Sequence, residues 1–308
     1  MTFDFSDFSK YRTQLMGISI LLIMMFHVGF FKCGYIGVEF FLLISAIGLF
    51  FSLSKDQRLI PFYKKRLIRI LPAYFIVAIP TFIYLQGGNF DFGQLLYDLA
   101  GLYILDSHRY LWFVHLIIIC YLIAPFYFKL MNYKYSKFVP FIALIVFYYL
   151  AMQYKPIGIL LNRFAIFFLG FHLAKWVYEK KQIRIKYLAL YCFLVWILII
   201  ASKEVHFYGE LRLIMFFFLS IPAVMGLILV LKVTPPIIHK WLVFLGGITL
   251  EIYLVHERIY LEILDTLFTY KVASIISFPL AIIAAYILHK FVNFIIQYLQ
   301  AKQLVKGI

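Results

Sequence analysis

The chain has 308 residues, of which 65% are hydrophobic and only 14% are charged, and its mean hydropathy is +0.94. An ordinary soluble domain is about half apolar, so this composition excludes one and indicates an integral membrane protein. The net charge of +15 does not indicate nucleic-acid binding, because the basic residues cluster in particular loops between apolar runs.

The apolar runs are about 20 residues long and lack polar–apolar alternation, which predicts membrane-spanning helices and not barrel strands. The N-terminus does not combine a basic region with a short apolar core and a cleavage site, so we expect the first span to be retained. The sequence predicts an all-α integral membrane protein, a single bundle of transmembrane helices over residues 1–308. Its ten predicted spans are residues 15–32, 34–54, 67–86, 109–132, 137–153, 159–178, 185–202, 212–232, 240–261 and 272–298.

The distribution of basic residues orients this bundle. With the N-terminus on the cytoplasmic side, 21 of the 29 Lys and Arg residues fall in cytoplasmic segments. Short cytoplasmic loops of membrane proteins hold such an excess of positive charge. We therefore expect an even number of spans, with both termini cytoplasmic, in the cell membrane.

The first two spans form a hairpin with one ionisable residue on each arm. His27 and Glu39 each lie six positions from Cys33, at the centre of the connection, so antiparallel helices would bring them to about the same depth. An ionisable residue inside a membrane is costly and marks a candidate functional site. A neutral imidazole can take a proton from a hydroxyl, and a carboxylate can hold its tautomer. The alternative is a histidine that is hydrogen-bonded in a helix interface.

A basic run opens the third span at its cytoplasmic end. Arg66 and Arg69 are three positions apart and lie on one helix face, where their guanidinium groups would suit phosphates. Lys64 and Lys65 precede them. The alternative for these lysines is that they only fix the topology and contact anionic lipid.

The longest outer connection is residues 87–108, which contain a short apolar piece, residues 95–105. This piece is too short to span a membrane. We expect an interfacial or re-entrant helix there that caps the bundle.

Further polar residues project into the outer half of the predicted bundle. Arg163 would neutralise a developing oxyanion or pair with Glu39. Trp112 is a candidate contact for substrate, and its alternative role is an interfacial aromatic anchor. Glu251 and His256 lie on the ninth span, and their alternative is a pair of satisfied polar groups in a helix.

The three cysteines, Cys33, Cys120 and Cys192, are widely spaced and odd in number. This spacing favours neither a disulfide framework nor a zinc site, so we expect packing residues and no metal.

Six segments in order resemble acyltransferase family 3, whose members are membrane-bound O-acyltransferases acting on surface polysaccharides. They are RTQLMGISILLIMMFH, GYIGVEFFLLIS, FYKKRLIRILPAYF, YLWFV, NRFAIFFLG and ITLEIYLVH. The resemblance covers nearly the whole chain. It implies transfer of an acetyl group from cytoplasmic acetyl-CoA, as acyl donor, to a hydroxyl of a lipid-linked or exported polysaccharide. Polysaccharide-assembly proteins are possible partners.

The resemblance implies a role for each candidate residue. His27 and Glu39 would be catalytic, and Arg163, Trp112, Glu251 and His256 would bind substrate. Arg12, Lys65, Arg66 and Arg69 would bind the donor. Donor and reacting residues would then lie on opposite sides of the membrane, so the thioester arm or a relayed acyl group would cross most of the bilayer.

The sequence departs from the family most strongly at one position, and more mildly at Glu39, where the family has Asp, and at Ala46, where it has Gly. The family has Arg or Lys eleven positions before the histidine, where this chain has Met16. Arg12 lies one turn earlier, about 40° round the helix, and would reach part of the same region. A transporter or flippase for a polysaccharide precursor, and a family member that has lost catalysis, stay as alternative interpretations.

Overall fold

A computed structural model describes residues 2–106, 111–204, 208–256, 264 and 266–306. The described chain is almost entirely helical, as the composition predicts. Its thirteen α-helices are α1 Asp7–Lys10, α2 Arg12–His27, α3 Ile36–Lys55, α4 Leu59–Leu85, α5 Phe92–Leu99, α6 Trp112–Leu130, α7 Val139–Gln153, α8 Lys155–Tyr178, α9 Ile185–Glu204, α10 Tyr208–Leu231, α11 Pro236–Gly247, α12 Thr249–His256 and α13 Tyr270–Lys306.

Each of the ten predicted spans falls on a helix or a pair of helices. In the described part of the chain, seven helices are long and apolar enough to cross a membrane, and an eighth is added if α11 and α12 together form one span. Helix α2 is shorter, with 16 residues. The all-α class is confirmed. The count of ten spans and the cytoplasmic termini stay predictions.

The predicted span over residues 240–261 falls on α11 and α12, and residues 257–261 lie outside the described chain. The chain bends by 68° between α11 and α12, with the break at Ile248. Gly246 and Gly247 precede the break, and glycine is a poor helix former. Gly246 lies directly against the carbonyl oxygen of Thr13, and there is no room for a Cβ. The Thr249 hydroxyl donates to the Gly246 carbonyl at 2.8 Å, which satisfies an oxygen that the break exposes.

Helix α3 lies at the centre of the bundle. It is buried along most of its length and packs against α2 and α8. Small residues allow this close approach, because Gly37 meets the carbonyl of Ser19 on α2, and Gly170 of α8 meets Ala46. The hairpin of α2 and α3 that the sequence predicts is therefore the core of the fold.

Helix α11 covers the other side of α2. Gly17 lies against the backbone of Leu242, so the two helices touch at backbone distance. The chain therefore continues from α11 into α12 beside α2. This brings the C-terminal ends of α2 and α12 together.

A short helix and a 3₁₀ turn form the outer connection. Helix α5 is amphipathic, begins at the capping residue Asp91 and is followed by a 3₁₀ turn over Leu102–Asp106. The Tyr74 hydroxyl of α4 donates to the Leu99 carbonyl at 3.0 Å and ties the connection to the bundle. Residues 107–110 lie outside the described chain.

Two short strands close the opposite end. Strand β1, Thr2–Asp4, pairs antiparallel with β2, Gln182–Arg184, between α8 and α9. The side chains of Phe3, Phe5 and Phe8 are buried beneath this pair. The sequence pattern of apolar spans does not predict these strands.

Candidate active site

Two histidines meet where α2 and α12 end. His27 is the last residue of α2, and His256 is the last residue of α12. The Nε2 atom of His256 lies 3.3 Å from Nδ1 of His27, and the ring centroids are 5.0 Å apart. His256 is 5% exposed, whereas His27 is only half-buried and can be approached.

Backbone carbonyls fix the proton positions on both rings. His27 Nδ1 lies 2.9 Å from the Ile23 carbonyl, and His256 Nδ1 lies 2.9 Å from the Ile252 carbonyl. A carbonyl oxygen can only accept, so each Nδ1 carries a proton that it donates. His256 Nε2, 3.3 Å away, is then a second and longer acceptor for the same His27 Nδ1–H, which is shared with the Ile23 carbonyl. For a neutral His27 ring, Nε2 is left with the lone pair that can act as a base.

Glu39 forms a buried ion pair with Arg163, joining α3 to α8. Both side chains are almost fully buried, and the Arg163 guanidinium also lies over the Tyr35 ring at 5.8 Å. The pairing of Arg163 with Glu39 is one of the two arrangements that the sequence suggests. The side chain found next to His27 Nδ1 is that of His256, whereas Glu39 is paired with Arg163.

A second polar cluster surrounds Glu251, in the first turn of α12. Arg69 donates to both carboxylate oxygens, through Nη1 at 2.5 Å and Nη2 at 3.0 Å. His289 Nδ1 lies 2.9 Å from the same carboxylate, and Asn293 Nδ2 lies 2.9 Å from His289 Nε2. Glu251 itself is fully buried. This cluster joins α4, α12 and α13.

His289 and Asn293 are not among the residues that the sequence singles out. They lie four positions apart on α13, within a predicted span that is mostly apolar, and an ionisable residue in such a run is a signal in itself. Their partner Glu251 lies far away in the chain, so the sequence gives no indication of which group they contact.

A group of three arginines includes Arg69 of the Glu251 cluster. The guanidinium groups of Arg12, Arg66 and Arg69 all lie within electrostatic reach of Tyr121 on α6. Arg12 lies against Gly48, where a side chain would collide with it. Arg66 stacks on the Phe62 ring at 3.6 Å and donates to the Phe62 carbonyl.

The remaining candidates lie apart from these clusters. Lys65 is exposed, whereas Trp112 is buried at the start of α6. The residue after Trp112, Phe113, donates its backbone N–H to the Tyr253 hydroxyl at 3.3 Å, so this end of α6 contacts α12. His115 is hydrogen-bonded to Tyr74 and packs beneath the outer connection. Among the described residues, no group of three or more His, Cys, Asp or Glu could hold a metal ion.

Comparison with protein families supports the resemblance drawn from the motifs. A family model described as an acyltransferase domain, that of acyltransferase family 3, matches residues 14–290. Comparisons with curated proteins and with solved structures give no match. The matched range runs from α2 into α13 and includes both histidines and both buried carboxylates. The chain is a member of acyltransferase family 3.

Proposed function

We propose that this protein transfers an acetyl group from acetyl-CoA to a hydroxyl of a lipid-linked or exported polysaccharide at the cell membrane. The observation that carries the proposal is the contact between His27 and His256. It holds the Nδ1 side of a half-buried imidazole at a place that two helix ends define. Family membership supplies the reaction type, acyl transfer.

In the proposed reaction His27 Nε2 takes the proton of the acceptor hydroxyl. The hydroxyl oxygen forms a bond to the thioester carbonyl carbon, and the carbon–sulfur bond then breaks. The leaving thiolate takes the proton back from the imidazolium, so the histidine ends the cycle neutral. The same nitrogen would react first if the acetyl group passes through an acyl-histidine intermediate, so both routes use His27.

His256 orients the base in this scheme. Its Nε2 accepts from the Nδ1–H of His27, which holds the ring and stabilises the imidazolium while it exists. A carboxylate does this in the serine protease triad. A buried neutral imidazole is a weaker acceptor, but it holds the ring in the same way. We propose that His256 has the role that the sequence assigned to Glu39.

The arginines around Tyr121 are the proposed donor-binding site. Three guanidinium groups lie there, and Glu251 is the only carboxylate that the described structure pairs with any of them, through Arg69. Arg12 and Arg66 have no carboxylate partner among the described residues, so the cluster holds excess positive charge. The phosphates of coenzyme A would neutralise it, since guanidinium forks bind phosphate well.

Helix α12 supports a short path between donor and base. Arg69 contacts Glu251, and His256 lies five residues further along α12, a rise of about 7.5 Å. The sequence suggested that the reaction must cross most of the bilayer. The contact between Arg69 and Glu251 favours a shorter path.

The break between α11 and α12 favours a second candidate function, a transporter for a polysaccharide precursor. Broken helices in transporters place polar backbone at a substrate site. The Gly247 carbonyl at the break does accept from Arg69, at 3.4 Å. A transporter would not release a thiol from acetyl-CoA, and this separates the two functions.

The experiment measures labelled acetyl transfer into the polysaccharide of membranes from a deletion strain that expresses each variant. Replacing His27 with Ala removes the base and should lower the transfer rate about 10²- to 10⁴-fold. His172→Ala is the matched control, because His172 is also half-buried on a helix and bonds Tyr127 at 2.9 Å. Unchanged transfer in His27→Ala membranes would overturn the proposal. Polysaccharide export without thiol release would indicate the transporter.

A further inference from the structure

We infer that His289 is a positioning residue for acyl transfer, and that it acts through Glu251 to hold α12 and keep His256 against His27. The inference rests on the proposed function. Neither the resemblance to the family nor the sequence pattern singles out His289. The hydrogen bonds around Glu251 do.

The donor and the acceptor of each of these hydrogen bonds can be assigned. Glu251 is hydrogen-bonded to Arg69, and an ionised carboxylate only accepts, so His289 Nδ1 carries a proton and donates it at 2.9 Å. His289 Nε2 is then the acceptor for the Asn293 amide N–H, also at 2.9 Å. Asn293 thus holds the tautomer of His289, and His289 presents its N–H to Glu251.

Helix α12 needs support of this kind. It has only eight residues, and its axis is bent by 68° from the axis of α11 at Ile248. A short helix after a break is oriented by what its side chains contact. Glu251 provides two such contacts, with α4 through Arg69 and with α13 through His289.

Helix α13 is the longer of these two supports. It is the longest helix of the described chain, Tyr270–Lys306, and α12 packs along it. Arg69, in contrast, is 38% exposed and lies at the proposed donor site. His289 therefore anchors α12 independently of whether Arg69 also contacts the donor.

The position of α12 matters for the base because His256 is its last residue. A shift of about 1 Å in a positioning group costs on the order of 100-fold in rate when it moves a reacting atom out of line. The contact between His256 Nε2 and His27 Nδ1 is already 3.3 Å, so a small tilt of α12 would break it.

Two conservative substitutions at His289 test this inference, because each keeps a polar side chain at that position. In His289→Asn the side-chain amide N–H stands where Nδ1–H stood and can still donate to Glu251. In His289→Gln the amide stands at the place of Nε2 and faces Asn293 instead. Both side chains are polar and similar in volume, so both variants should insert equally well.

The assay varies acetyl-CoA in membranes that contain equal amounts of each variant, and follows labelled acetyl in the endogenous polysaccharide. We expect His289→Asn to keep kcat within about threefold of the parent, and His289→Gln to lose about tenfold, a loss of one charge-assisted hydrogen bond. The KM for acetyl-CoA should stay within about twofold in both. The His172→Asn and His172→Gln pair is the control and should show no such difference.

Three results would overturn the inference: equal kcat values for His289→Asn and His289→Gln, a loss confined to KM, or the same difference in the His172 pair. Failure of the proposed function is distinguishable from these. It would appear as full transfer by His27→Ala, whatever the His289 variants do.

Discussion

Glu39 and Glu251 are both buried carboxylates that pair with an arginine, yet their surroundings differ. Glu39 meets Arg163 where both side chains are enclosed, at 3% and 5% exposure. Glu251 meets Arg69, which is 38% exposed, and also accepts from His289. The first pair joins two long helices of the core, α3 and α8. The second lies on a short helix that follows a break and ends at His256.

This difference separates a pair that joins two core helices from a pair that, in the proposed function, serves the reaction. An enclosed ion pair with no route to solvent can hold helices together, but it cannot contact a soluble donor. A carboxylate shared by an exposed arginine and a histidine can respond to what binds nearby. The sequence does not distinguish Glu39 from Glu251 in this respect, and only their partners do.

Replacing Arg163 with Ala should have the largest effect on stability. It leaves the Glu39 carboxylate buried without a counter-charge, which costs about 3–5 kcal/mol. Denaturant unfolding of the detergent-purified protein measures the loss. Lys65→Ala is the control, because an exposed lysine should change stability by less than about 0.5 kcal/mol. A loss for Arg163→Ala as small as the control would mean that the Glu39 pair does not hold the core.

Replacing Glu251 with Gln should mainly affect the reaction. The change keeps the shape of the side chain but removes its charge, so the hydrogen bonds from Arg69 and His289 weaken. Each charge-assisted bond contributes about 1.5–3 kcal/mol, which predicts a fall in kcat of about 10- to 100-fold. Activity per folded molecule is the measurement. If Glu251→Gln unfolds as readily as Arg163→Ala and keeps full activity, Glu251 holds the fold together and does not serve the reaction.

Replacing Arg12 with Ala should have a smaller effect, confined to donor binding. We expect the KM for acetyl-CoA to rise about fivefold with kcat unchanged, because an exposed arginine contributes about 1 kcal/mol to phosphate binding. Adding Met16→Arg to the same variant should restore the KM, since it returns a cation to the position where the family has one. An unchanged KM for Arg12→Ala would show that Arg12 does not take over that role.

Replacing the Glu39–Arg163 pair by apolar residues should have the smallest effect. Glu39→Leu combined with Arg163→Met removes both charges at similar volume, so stability should stay within about 1 kcal/mol of the parent or rise. Transfer should stay within a few-fold. A double variant that is stable but inactive would indicate that Glu39 takes part in the reaction, as the sequence predicts.

The sequence predicts the helices well because an apolar run about 20 residues long has few other stable forms in a membrane. It also predicts the hairpin of α2 and α3, and it marks His27 and Glu39 as candidate functional residues. It does not predict the break at Ile248, since hydropathy continues across it. The Gly246–Gly247 pair is the only local sign of it.

The contacts between side chains on different helices are harder to predict than the helices themselves. His256 meets His27 only because α11 lies against α2 at Gly17 and Gly246 and delivers α12 beside it. No spacing in the sequence shows that approach. The same is true of His289, whose partner Glu251 lies on another helix. Arg66 and Arg69 can be grouped from the sequence because they lie three positions apart on one helix face.

The contact between His27 and His256 is the central claim, and a double-mutant cycle tests it most directly. The transfer rate is measured for His27→Ala, His256→Ala and the double variant in membranes with equal amounts of folded protein. If His256 acts through His27, the double variant should be no slower than His27→Ala alone, although His256→Ala by itself loses about 10- to 100-fold. Losses that multiply in the double variant, or full activity of His27→Ala, would contradict the account.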